Sequence, residues 1–82
     1  MVNPVEELFF LTNRPFDLLN EAIGKEVLVS LKGDTQIRGT LKAFDVHMNI
    51  VLEHAEQHVN GEPKTKFKQI ILRGDNVILI AP

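Results

Sequence analysis

A period of two dominates residues 25–44. In KEVLVSL, Val27, Val29 and Leu31 alternate with Glu26, Leu28 and Ser30; in TQIRGTLKAF, Ile37, Gly39, Leu41 and Ala43 fall on one side. This alternation predicts two strands, and KGD at 32–34 supplies the glycine and aspartate of a tight antiparallel turn between them. Upstream the period is helical. RPFDLLNEAIGKE places Phe16, Leu19 and Ile23 three and four apart, with Leu18 and Ala22 on the same side. Pro15 suits a first turn, where a missing amide hydrogen costs nothing, and Gly24 supplies a stop.

Downstream, NIVLEHAEQHV reads as a third strand, NGEPKTK (60–66) as a loop, FKQIILR as a fourth strand, GD as a short connection and NVILIAP as a fifth strand stopped by Pro82. Gly39 sits mid-strand on the face where bulk would otherwise pack, which marks a sharp bend or a close backbone approach. The expected architecture is mostly β: an N-terminal helix followed by a strongly bent five-stranded antiparallel sheet or open barrel. Residues 1–13 read as an N-terminal extension and 14–82 as the domain. LFFL at 8–11 is too apolar to stand idle and is expected to pack on the helix or on a neighbouring subunit. The fifth strand, VILIA, is apolar on both faces, a hazard at a sheet edge unless covered. The expected cover is another copy of the chain.

Composition narrows the functions. A chain of 82 residues without cysteine has no disulfides or thiolate metal ligands to support a small core, which leaves oligomerisation as the available device. No apolar run reaches the length of a membrane span, and the N-terminus lacks a basic region before its short apolar patch, so a soluble protein in a reducing cytoplasm is expected, with no membrane partner. The formal charge of −2 is unevenly spread, with −3 over residues 1–24, −1 over 25–59 and +2 over 60–82. A general basic field for holding nucleic acid is absent. Any such binding must rest on stacking and hydrogen bonds in defined pockets, with cations gathered on one face or multiplied by symmetry.

The stretch AFDVHMNIVL places Asp45, His47 and Asn49 at alternate positions where one strand ends and the next begins. An acid–base pair there has no nucleophile nearby, since the only serine is Ser30. His47, His54 and His58, with Glu53 and Glu56, lack the tight spacing of a zinc site. Catalysis and resident cofactors or metals are therefore not expected. Two readings stay open on the residues alone: Asp45 and Asn49 as turn devices that bond nearby backbone, or as part of a base-reading pocket. RGD at 73–75 reads as a tight turn between strands four and five.

GKEVLVSLKGDTQIRGTLKAFDVHMNIVLEHA resembles the first motif of the Sm and Sm-like (LSm) RNA-binding proteins, and ILRGDNVILIAP resembles the second. With the preceding helix the resemblance covers residues 14–82. The bacterial relative Hfq carries a lysine and a histidine where this chain has RGDN, so the archaeal and eukaryotic branch is the nearer one, and the short length is most similar to archaeal Sm-like proteins.

That resemblance implies a ring, typically of seven subunits, closed by pairing FKQIILR with a neighbour's NVILIAP. It also implies binding of uridine-rich single-stranded RNA at the inner rim, in RNA processing, turnover or chaperoning, with RNA-processing proteins as further partners. His47 and Arg73 would stack on opposite faces of a base, Asn49 would read the uracil edge, Asp45 and Asp75 would support the pocket, and Gly74 would bring backbone close. The alternative is a ring that scaffolds protein partners, with RNA incidental and LFFL as a docking patch.

Overall fold

The computed structural model describes residues 15–82. The expected extension and its LFFL patch lie outside the described residues. A short helix, α1 (Pro15–Glu21), precedes five strands: β1 (Glu26–Leu31), β2 (Thr35–Phe44), β3 (Ile50–Val59), β4 (Glu62–Leu72) and β5 (Val77–Ala81), with a 3-10 turn at Gly74–Asn76 between the last two. All pair antiparallel in the order β4-β3-β2-β1-β5.

Proline starts α1, and the chain leaves it through Gly24 at φ +87°, a left-handed conformation glycine adopts without steric cost. Its exit is tied to the sheet: Gly24 N–H donates to the Leu41 carbonyl at 2.8 Å and Leu41 N–H to the Lys25 carbonyl at 2.9 Å. Of the expected apolar side, only Leu19 and Ala22 are buried. Phe16, Leu18 and Ile23 are exposed, because a helix of two turns seats only one narrow stripe, and Phe16 meets Phe44 edge-on at 4.9 Å.

Val27, Val29, Ile37, Leu41, Ile50 and Leu52 are fully buried inside the bend, each contributing about 1.5–3 kcal/mol by leaving water. The bend has two local causes. A Cβ on Gly39 would meet the Glu53 carbonyl oxygen at 3.0 Å and Ala55 at 3.1 Å, so β2 and β3 cross there more closely than a side chain ordinarily permits. Opposite, the register slips between Arg38 and Thr40, and β3 absorbs the extra residue around His54, whose φ is +50°. That bulge turns the inward face from Ile50 and Leu52 to Ala55.

Two expectations change. Ala43 is exposed and does not share the core side with Leu41. The register slips again between Leu41 and Ala43, which leaves Phe44, a residue later, packed on the core. Residues 62–66 are strand, not loop. Asn60 (φ +52°) and Gly61 (φ +81°) close a two-residue hairpin, and β4 begins at Glu62. Pro63 is tolerated because β4 is a sheet edge, where a missing amide hydrogen breaks no ladder bond.

The other edge is β5, with Ile78 at 62% and Leu79 at 50% exposure. The first half of β4, EPKTK, carries proline and charge, which discourage unplanned pairing, while its second half, FKQIIL, is mostly apolar. Among the described residues no helix is long and apolar enough to cross a membrane. Gly39→Val should destabilise the fold by about 1–3 kcal/mol, through overpacking against backbone that cannot swing aside. Urea denaturation monitored by circular dichroism measures it.

Candidate nucleic-acid interface

The β2–β3 junction is built around the Asp45 carboxylate. One oxygen, Oδ1, accepts the backbone N–H of His47 at 2.9 Å and that of Asn49 at 3.0 Å. Aspartate does this readily because its short side chain reaches amides two to four residues ahead. The backbone closes the same turn: Met48 N–H donates to the Asp45 carbonyl at 3.0 Å and Asp45 N–H to the Asn49 carbonyl at 3.1 Å, with Met48 at φ +62°. These bonds stabilise the charged carboxylate. The Asn49 side chain and then the Asn49 backbone contribute most, His47 less, and together they hold Asp45 below its ordinary pKa of 3.8.

Asn49 joins this junction to the β4–β5 turn. Its Nδ2 donates to Asp45 Oδ2 at 3.0 Å, and its Oδ1 accepts the Gly74 backbone N–H at 2.9 Å across 25 residues of sequence. The amide is thereby oriented: an acceptor faces its nitrogen and a donor faces its oxygen, so a flip would set like against like at both ends. One N–H and one oxygen lone pair remain uncommitted by these bonds. Gly74 is required for the approach, because a Cβ there would collide with the His47 carbonyl oxygen.

Asp45, Asn49 and Arg73 line one hollow of about 510 Å³ with Phe44, Val51 and Ile71. His47 is exposed and outside that lining, with its carbonyl against Gly74. Arg73 is exposed at the end of β4 and faces Asp75 across 3.7 Å. That surface pair is too weak to fix the guanidinium, which stays available to another planar partner. Ile71, 70% exposed, forms an apolar wall beside Arg73, and Met48 lines a separate groove against β5. Neither was singled out from sequence; the Ile70–Ile71 doublet was the available sign, since alternation must turn one of the pair outward.

These two short segments, DVHMN and RGDN, place a planar amide and a guanidinium at an open hollow and an imidazole outside its lining, and no metal-ligand cluster occurs among the described residues. The family model of the LSM domain matches residues 17–82. The chain belongs to the Sm-like family. An snRNP Sm-like protein of Methanosarcina acetivorans is 47% identical over 72 residues, covering 88% of this chain and all of that one. Among solved structures, the Pyrococcus abyssii Sm protein in complex with a uridine heptamer superposes with a TM-score of 0.82 at 41% identity, covering 85% of this chain and 99% of that one. The P. aerophilum SmAP1 heptamer superposes at 0.79 with 40% identity, over 85% and 93%.

Two outcomes follow for the Sm-like site. Gly74→Ala should destabilise the protein by about 1–3 kcal/mol, since the methyl has only backbone to displace; thermal unfolding reads it. Because the Asp45 pKa is lowered, the junction's hold on Asn49 is intact above pH 3.8 and weakens only as the pH falls through the folded-state value. The Asn49 side-chain amide resonances should therefore titrate with a midpoint below 3.8, followed by nuclear magnetic resonance.

Proposed function

We propose that the chain forms a homo-oligomeric ring, of seven subunits, that binds uridine-rich single-stranded RNA at its inner rim and serves RNA processing, turnover or chaperoning in the cytoplasm. The observation that carries this reading is the oriented Asn49 amide. Its uncommitted N–H and lone pair match the uracil edge, which presents a carbonyl oxygen beside a ring N–H. Cytosine in the same pose presents an amino donor beside a ring-nitrogen acceptor, so donor meets donor and acceptor meets acceptor. Asp45 and Gly74 are positioning residues in this account, setting the order of groups on Asn49.

His47 and Arg73 supply planar faces for the base, worth about 1–3 kcal/mol per base in stacking. Asp75 lies 3.7 Å from Arg73 and leaves the guanidinium free to stack. A single open pocket with this content binds weakly, and repeating it around a ring converts weak contacts into avidity, which reconciles RNA binding with a net charge of −2.

The ring follows from the edges. β4 and β5 are the two ends of the sheet, and the apolar Phe67–Leu72 half of β4 matches the five residues of β5 in length and character. Head-to-tail pairing that closes on itself removes both edges. The apolar groove of about 390 Å³ beside β5, lined by Leu18, Met48, Val77 and Leu79 among others, takes side chains from the neighbour's β4. The similarity to the P. aerophilum heptamer and to the uridine-bound Pyrococcus protein supports ring size and ligand.

Native mass spectrometry should give a mass of seven chains. Titration with oligo-uridine and oligo-cytidine should show preference for uridine, and Asn49→Ala should remove it, a loss of about tenfold or more. Asp45→Asn should lower the preference more than the affinity, since a side-chain amide can present either group to Asn49. Equal binding of both oligomers by the wild type would end the pocket assignment.

The exposed apolar residues on and just after α1, Phe16, Leu18 and Ile23, favour a second reading in which the ring scaffolds RNA-processing proteins. Partners that remain bound after ribonuclease treatment support it, whereas release supports RNA as the organising ligand.

A further inference from the structure

The residues of the rim pocket leave unexplained where the chain's positive charge is concentrated. Residues 60–82 carry a formal +2 in a chain of −2, and most of these cations lie on β4, away from the Asn49 hollow. Lys66 and Lys68 stand at alternate positions, about 6.6 Å apart along the strand. Both border a hollow of about 370 Å³ on the outer side of the β3–β4 hairpin, together with His54 and Glu56. A second hollow of about 290 Å³ adjoins it, sharing His54 and Glu56 and adding Glu26, Arg38 and His58.

Two features equip this surface for a polyanion. The bulge at His54, with its φ of +50°, turns the imidazole outward next to the lysines, adding a planar group to a cationic strip. The cations are only loosely committed. Lys66 lies 3.9 Å from Glu56 with its side chain 85% exposed, and Lys68 has no carboxylate partner among the described residues. Exposed pairs of this kind contribute little to stability, so the strip is not accounted for by folding. Two carboxylates border the strip: Glu56 already faces His58 at 3.1 Å as well as Lys66, and Glu26 pairs with Arg38 at 3.3 Å with both side chains exposed, a pair that a phosphate can replace.

We propose that the outer face of the β3–β4 hairpin is a second RNA contact, in which Lys66, Lys68 and Arg38 hold the phosphate backbone of strand that extends beyond the rim pocket. The lysine spacing suits successive phosphates of an extended single strand, and the contact carries no base preference. The inference rests on the ring reading to the extent that repetition of the strip around seven subunits forms a belt. An acidic protein is the competing occupant; extended single-stranded RNA is favoured because the imidazoles of His54 and His58 line the same two hollows as the cations.

The test compares a uridine heptamer with a uridine-rich strand several times longer, on the intact protein, its K66E/K68E variant and its E56Q variant. K66E/K68E should bind the heptamer as the wild type does, which also reports an intact fold, and should bind the longer strand at least tenfold more weakly. Its salt dependence should flatten by about 0.7 in log–log slope for each phosphate that the lysines no longer neutralise. E56Q should bind the longer strand more tightly than the wild type, a gain that a structural role for Glu56 would not produce. Unchanged binding of the longer strand by K66E/K68E overturns the proposal in favour of a protein partner, and an equal loss for both RNAs overturns it by merging the strip with the rim. If the wild type shows no uridine preference but long-strand binding still depends on the lysines, the rim reading falls and this one stands.

Discussion

The side chain of Asn49 is the tie on which the functional end of the molecule depends. It spans from the Asp45 carboxylate in one connection to the Gly74 amide in another, 25 residues beyond Asn49 in the chain, and it does so with both ends of its amide engaged. Without that tie, two short connections would each keep a local turn but have no fixed relation to one another. With it, the imidazole-bearing and guanidinium-bearing segments are held together, and the polarity of the amide is set before any ligand arrives. Preorganisation of this kind lowers the ordering cost of binding, which matters most where a single site makes few contacts.

The sheet supplies the frame for that tie through its bend. Close crossing at Gly39 and the bulge at His54 let long strands curl over a small core, and the curl brings the ends of β2 and β4 to the same side. The same curl leaves the sheet unclosed, with β4 and β5 as edges of contrasting composition. Charge and proline in the first half of β4 confine apolar pairing to its second half. Core, edge and site are therefore linked: the residues that shape the monomer also decide which surface is left to meet another copy.

Much of this was legible in the chain because alternation is a local signal. TQIRGTLKAF coincides with β2 residue for residue, and the mid-strand glycine correctly marked the bend. What failed was also physical. Ala43 and Phe44 exchanged faces because a register slip is a property of two strands, invisible in either alone. EPKTK read as loop because proline and lysine are poor strand formers, and only its place at an edge makes them acceptable. At the site, Asp45 as a turn device was readable from its spacing to Asn49. The bond from Gly74 to Asn49 was not, since it involves a backbone donor brought from a distant segment. The turn reading of DVHMN holds: Asp45 makes the turn and orients the Asn49 amide in one arrangement.

On the proposed function, the tied Asn49 amide faces a uracil edge. A crystal structure of the protein with an oligo-uridine ligand tests it most directly. The account predicts a base in the hollow beside Asn49 and Arg73, its imide edge bonded to the Asn49 amide while that amide keeps its bonds to Asp45 and Gly74, with His47 and Arg73 against opposite faces. A base held elsewhere, or an Asn49 amide that leaves Asp45 and Gly74 on binding, would contradict it.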